Sequence, residues 1–255
     1  MKISVLASGS TGNCTYIESN RSKILVDAGI SMRRIKNNLN DLVTDITKLN
    51  GILITHEHSD HVKGLQMLQK YYDIPIFINQ PTLSSLSFKL LNPKIFSNNF
   101  NINELNITVN SISHDASQPV SFKISNNDNS IGMITDLGVP NNNIKKVISE
   151  SDAIVLEANY DVDMVLNGPY PYHLKQRIMG ELGHLSNIDA GLLIKNHASK
   201  KLNTVFLAHI SQNNNTYDLA LKTFYELTKN MNINRILTNH KERTKLINLK
   251  SNNVT

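Results

Sequence analysis

The stretch Gly51-Ile52-Leu53-Ile54-Thr55-His56-Glu57-His58-Ser59-Asp60-His61 decides how the rest of the chain is read. Its first half is an apolar run of strand length, and its second half sets His56, His58, Asp60 and His61 at the strand exit. Alternate residues of an extended segment project to one side, so His56 and His58 can grip one metal ion together. Val62, Leu65 and Leu68 then follow helical spacing, with Ser59 placed to cap the helix. As the chain turns into that helix, Asp60 and His61 can reach a second ion beside the first. A His-rich surface loop is the plain alternative.

Outward from this segment, short apolar runs alternate with turn signals. Strands are predicted at Lys2–Ala7, Cys14–Glu18, Lys23–Asp27 and Gly51–Thr55. Further strands are predicted at Ile76–Ile78, Asn106–Ile112, Val120–Ile124, Ser130–Ile134, Ala153–Leu156, Thr204–Ala208 and Arg235–Leu237. Helical spacing marks Met32–Leu39, Pro81–Leu91, Asn142–Glu150, His173–Gly180, Asn187–Ser199 and Tyr217–Lys229. Strands clustered in pairs and then alternating with helices predict an α/β or α+β fold with two sheets and helices outside. No composition break or linker interrupts the chain. One domain over residues 1–250 is expected, with 251–255 as a loose tail.

Composition narrows the classes. At 255 residues and 40% hydrophobic content the chain can bury a real core, and 18% charged residues is too few for a disordered one. Lys and Arg number 26 against 21 Asp and Glu, a net charge of +5 that permits a polyanionic partner without demanding one. A single cysteine, Cys14, excludes an internal disulfide framework and a Cys-only zinc site. No run approaches the roughly 20 apolar residues of a membrane helix, and a cytoplasmic protein is the expectation.

Four groups do not close two metal sites, so more ligands are sought downstream. His114 follows the strand at 106–112, Asp136 the strand at 130–134 and His209 the strand at 204–208. Each is an early polar group beyond an apolar strand, where ligand sites gather in α/β proteins. Taken singly, each also reads as an ordinary strand-end residue.

Together with Ser8-Gly9-Ser10-Thr11-Gly12-Asn13, Thr135-Asp136-Leu137-Gly138, Gly183-His184-Leu185-Ser186-Asn187 and His209-Ile210-Ser211, these segments resemble the metallo-β-lactamase superfamily. More narrowly they resemble its YycJ/WalJ branch of cytoplasmic, metal-dependent DNA exonucleases. The resemblance runs in order from about residue 3 to 240 and implies a four-layer αββα sandwich with a dimetal site at one edge of the sheets. It implies that His56, His58 and His114 hold one divalent ion, that Asp60, His61 and His209 hold the other, and that Asp136 bridges them. This N and O donor set suits Zn²⁺ and equally Mn²⁺. Two such ions lower the pKa of a shared water and stabilise charge on a phosphoryl oxygen. Asp60 and His184 are the expected catalytic residues, His184 protonating the leaving oxygen or binding a phosphate oxygen. Where the branch usually carries His, this chain has Tyr160, a poorer metal ligand. Glu157 is a candidate to orient a ligand from behind.

Substrate contacts are expected from Ser8, Ser10 and Asn13 in the first loop and from Ser186 and Asn187 before a helix. Arg33, Arg34, Lys36, Lys175 and Arg177 are candidate DNA-backbone contacts, with a solvated helix face as the other reading. The leading expectation is a phosphodiesterase, a 5′-to-3′ exonuclease on double-stranded DNA with a mismatch-repair role. A small-molecule hydrolase acting on a cyclic phosphodiester, thioester or lactone with the same metal pair is the alternative. A metal-stabilised scaffold without turnover is a third reading, and RNase activity a fourth.

Overall fold

Strands that carry apolar residues on both faces need cover on both, and this requirement sets the architecture. In a computed structural model, which describes residues 1–249, the strands form two seven-stranded sheets. The first comprises β1 (Lys2–Ala7), β2 (Cys14–Glu18), β3 (Lys23–Val26), β4 (Gly51–Leu53), β5 (Ile76–Ile78) and β6 (Pro93–Ile95). The second comprises β7 (Phe100–Ile102), β8 (Leu105–Ser111), β9 (Val120–Ser125), β10 (Ser130–Ile134), β11 (Ala153–Glu157), β12 (Thr204–Ala208) and β13 (Asn234–Leu237). The last strand, β14 (Ile247–Asn248), returns to the first sheet and pairs antiparallel with β1. Both sheets are mixed. β3 to β6 run parallel in one and β10 to β13 in the other, with antiparallel pairings filling the remainder.

The strand alternation sorts side chains between layers. Ile3, Val5 and Val26 meet Phe122, Val155 and Phe206 in the core between the sheets. On β12, Phe206 and Ala208 face that core while Val205 and Leu207 face outward. Helices cover the outward faces. Ile35 and Leu39 of α1 (Met32–Asp41) and Leu65 and Leu68 of α3 (Leu65–Tyr71) pack on the first sheet. Apolar residues of α5 (Asn142–Glu150), α8 (Asn187–His197) and α9 (Tyr217–Thr228) pack on the second. The order of layers is therefore αββα, as expected.

Several local expectations are corrected. The helix predicted at Pro81–Leu91 exists only as α4 (Gln80–Ser84), capped by Asn79 through Thr82 N–H. Beyond it the chain leaves helical geometry to lay Leu86, Phe88 and Leu90 onto the first sheet's outer core, with Lys89 C=O accepting from Gln69. Ser59 is the first residue of α2 (Ser59–Val62) rather than its cap; His58 stands at the cap position and makes no capping bond with its side chain. The strands β6, β7 and β14 and the helix α6 (Val162–Asn167) are not predicted by the pattern. The expected helix near 173–180 is α7 (Tyr172–Met179). The tail expected at 251–255 lies outside the described residues. No helix among the described residues is long and apolar enough to cross a membrane.

Candidate metal centre

The C-terminal ends of β4, β8, β10, β11 and β12 open toward one edge of the sandwich, and each is followed by a residue of the site. Beyond β4 the turn through His56 and His58 into α2 brings His56, His58 and His114 together, with one donor atom of each within 4.8 Å of the others. Asp60, His61 and His209 form a second such group, and Asp136 groups with His56 and His61 between them. All seven residues expected as ligands thus converge, from segments up to 153 positions apart along the chain.

The residues fit cations on an observation of their own. Nε2 of His56, His114 and His209 are buried and have no hydrogen-bond partner, and the buried Oδ2 of Asp136 meets His61 Nε2 at 3.1 Å. Leaving a buried polar atom unpaired costs about 1–3 kcal/mol, and cations beside Asp136 would satisfy the three imidazoles together. Their neighbours fix which atoms remain free. Thr55 Oγ1 lies 3.0 Å from His56 Nδ1, Gly183 C=O lies 3.2 Å from His114 Nδ1, and Asp115 C=O lies 3.2 Å from His58 Nε2. His209 Nδ1 lies 2.8 Å from Glu157 Oε1.

Charge in the site is divided. Burial pushes His56 and His114 toward the neutral imidazole a metal requires, and neighbouring histidines reinforce this for both. Burial acts the same way on His61 and His209, but nearby carboxylates outweigh it and raise both well above the usual histidine range. For Asp136, burial favours the neutral acid, yet His209 and His61 hold it well below the usual carboxylate range.

Glu157, fully buried at the end of β11, organises one wall. Its Oε1 lies 2.8 Å from Nδ1 of both His184 and His209, and its Oε2 accepts the N–H groups of Leu137 and Leu185. His184 thereby stands beside the ligands with Nδ1 occupied and Nε2 remaining for chemistry. Burial alone would lower its pKa, but the Glu157 carboxylate reverses the direction and raises it.

The other expected contacts divide. Ser10 lines the cavity of about 260 Å³ in front of the ligands, together with Leu174, Arg177, Ile178 and Leu182 from the α7 region. Ser8 and Asn13 are buried and turned to the ligands instead. Ser8 Oγ accepts from His209 N–H at 2.7 Å, and Asn13 donates to Asp60 Oδ2 at 3.1 Å. Ser186 caps α8 by accepting from Asp189 N–H, and Asn187 is buried in reciprocal bonds with Asn215; neither faces the cavity. Arg177 reaches the cavity with its guanidinium paired to Asp115 at 2.6 Å. Lys175 donates to Leu166 C=O and Arg34 to Leu6 C=O, while Arg33 and Lys36 are exposed on α1, away from the cavity lining. Tyr160 lines a neighbouring cavity that His184 also borders.

Asp27 is the participant that pattern reading passed over. Its Oδ2 lies 2.8 Å from His61 Nδ1, and its Oδ1 accepts from Thr55 N–H, so it holds both the ligand and the strand that delivers it. It too ends an apolar strand, the same signal that pointed to His114 and Asp136. Asn159 also went unread; it donates to His209 C=O at 2.8 Å. Asp27, Asp136 and His209 all adopt left-handed backbone, at φ of 60°, 56° and 53°. Such strain in residues other than glycine persists where surrounding structure enforces it.

The profile of a family described as the β-lactamase superfamily domain matches residues 22–210. The chain belongs to the β-lactamase superfamily. Within the superfamily it is 37% identical over 227 residues to "Exodeoxyribonuclease YycJ" of Bacillus anthracis, covering 86% of each chain. It is 35% identical over 231 residues to "Exodeoxyribonuclease WalJ" of Streptococcus pneumoniae serotype 2, covering 87% of this chain and 86% of that one. The metallo-β-lactamase fold protein YhfI of Bacillus subtilis superposes with a TM-score of 0.73 at 15% identity, over 95% of this chain and 98% of that one. A diphosphatase of the PhnP family superposes at 0.67 with 13% identity over 98% and 99%. These two structures place the fold among metallo-β-lactamase sandwiches.

Proposed function

We propose that this protein is a metal-dependent exonuclease that removes nucleotides in the 5′-to-3′ direction from double-stranded DNA. The observation that carries the reading is the convergence of two ligand triads on Asp136 with the Glu157-supported His184 beside them. Relatives named exodeoxyribonucleases, matched over 86% of their length, give the substrate class. His56, His58 and His114 would hold one divalent ion and Asp60, His61 and His209 the other, with Asp136 between; Zn²⁺ and Mn²⁺ both suit the donors. When bound, the pair supplies an activated water and neutralises charge on the phosphate.

The chain's own residues do the rest. Asp60, held by Asn13, orients one side of the site. His184, whose pKa the Glu157 carboxylate raises, is placed to donate from Nε2 to the leaving oxygen while Glu157 retains its hydrogen bond to Nδ1. Ser10, at the cavity mouth, is placed to bond a phosphate oxygen. A cytoplasmic location, where the DNA lies, agrees with the lone buried thiol of Cys14, and repair of mismatched DNA is the proposed setting.

One panel tests this. End-labelled duplex DNA, RNA and a thioester are offered with Mn²⁺ or Zn²⁺ to the wild type and to H58A and D60A. The expected result is digestion of duplex DNA from its 5′ end, abolished in both variants while circular dichroism stays native. Turnover of the thioester without attack on any nucleic acid would instead support the small-molecule hydrolase.

A further inference from the structure

Among the described residues that line the cavity in front of the candidate ligands, Arg177 is the only Arg or Lys, and it stands with Asp60, Asp115, Asp136 and four histidines. Its side chain is 65% exposed and therefore open to a ligand arriving from solvent. The guanidinium meets Asp115 along one edge only. Nε donates to Asp115 Oδ2 at 2.8 Å, and Nη2 lies 2.6 Å from the same oxygen. Nη1 bonds no protein group among the described residues, so the outer edge formed by Nη1 and Nη2 is left over. The pair itself is fixed from both sides. Ser113 Oγ donates to Glu181 C=O at 2.6 Å, and His114 Nδ1 lies 3.2 Å from Gly183 C=O, which ties the loop carrying Asp115 to the segment after α7. Helix α7 buries none of its own residues, so these ties and the ion pair, rather than core packing, set where Arg177 points.

We propose that Arg177, aimed by Asp115, binds a backbone phosphate of the DNA strand next to the linkage that lies at the candidate ligands. The proposal rests on the exonuclease reading. A guanidinium carries two donor forks, and carboxylate and phosphate each match one, so Arg177 can keep Asp115 on its inner edge and take two phosphate oxygens on its outer edge. A lysine, a single point charge, could not serve both. An exposed ion pair of this kind contributes little to stability, so folding alone does not explain its place on the cavity. A polymer offers one phosphate to the ligands and the next to Arg177, which a small diester with a single phosphate cannot do. Arg177 is thus a binding residue that favours a chain over a small molecule, and Asp115 is its positioning residue.

The test reads kcat, KM and the salt dependence of kcat/KM for digestion of an end-labelled duplex with Mn²⁺ supplied. Arg177→Gln is expected to raise KM about tenfold, the loss of one charge-assisted contact, with kcat within about twofold. It should also flatten the slope of log kcat/KM against log salt by about one, as removal of one phosphate contact does. Arg177→Lys keeps the charge and the slope but not the fork, and its KM stays raised by at least about threefold. Asp115→Asn should raise KM about threefold with the slope unchanged, and should add nothing in the Arg177→Gln background. A disturbance of His58, which also neighbours Asp115, would act with or without Arg177. Unchanged KM and slope in Arg177→Gln would overturn the phosphate contact. A lowered KM in Asp115→Asn, or an effect that persists without Arg177, would overturn the positioning by Asp115. A wild type that hydrolyses bis-p-nitrophenyl phosphate but neither binds nor digests duplex DNA would overturn the exonuclease reading, and the phosphate contact with it.

Discussion

Glu157 is one carboxylate serving two imidazoles, and its placement ties a candidate metal ligand to the proposed proton donor. Both His184 and His209 point Nδ1 at the same oxygen at 2.8 Å, so a displacement of β11 would disturb binding and chemistry together. Asp27 plays the corresponding part for His61 alone. Replacing Asp27 by Asn should weaken metal binding roughly 10–100-fold, as loss of a ligand's supporting carboxylate does. Competition with a chromophoric chelator measures this directly, and unchanged affinity would refute the supporting role. At this scale the cluster of candidate ligands was legible because His-x-His-x-Asp-His is chemically conspicuous. Ser8 and Asn13 were found but misassigned. A polar loop residue looks the same in sequence whether it faces substrate or, as here, turns inward to brace Asp60 and His209.

Among the elements, the turn from β4 into α2 is pinned by backbone bonds as well as by the side chains of Asp27 and Asn13. Asn13 N–H donates to Asp60 C=O at 2.7 Å, Gly29 N–H to Asn13 C=O at 2.8 Å, and Ala28 N–H to His61 C=O at 2.8 Å. A side chain at Gly29 would put its Cβ 1.5 Å from the Asp60 carbonyl oxygen, an approach no rotamer relieves. Gly29→Ala should therefore cost at least about 3 kcal/mol, far beyond the usual effect of glycine replacement. Urea denaturation reads the loss, and a change under 1 kcal/mol would mean the turn can shift. The long central strands were legible because four or more apolar residues run between turn signals. The edge strands β6 (Pro93-Lys94-Ile95) and β7 (Phe100-Asn101-Ile102) are as short as the legible β5 (Ile76-Phe77-Ile78) but broken by polar residues and a proline, and β14 has two residues. Gly29 itself gave no signal, since the close approach comes from residues 31 positions away.

For the molecule as a whole, stability and metal binding are linked. Unpaired buried donors and a cluster of carboxylates favour the loaded form, so removing the ions should lower the melting temperature. At a thousandfold excess of metal over Kd the stabilisation is about 4 kcal/mol, or about 8–16 °C for a chain of this size. Thermal denaturation with and without EDTA checks this; coincident curves would contradict the site. The layered plan could be foreseen from paired strands and helical segments. The meeting of His209 with Asp60 could not, because apolar patterning says which face a strand buries and not which strand lies opposite.

The first strand is finished by the last. β1 takes Ile247 and Asn248 as partners, Ser4 Oγ donates to Thr244 C=O, and Ser8 receives the N–H of His209, 201 residues later. A polypeptide emerging from the ribosome thus exposes His56 through His61 long before the remaining ligand and its brace exist. A chain stopped before residue 209 lacks one member of the Asp60–His61–His209 group, and the expected result is a fragment without nuclease activity.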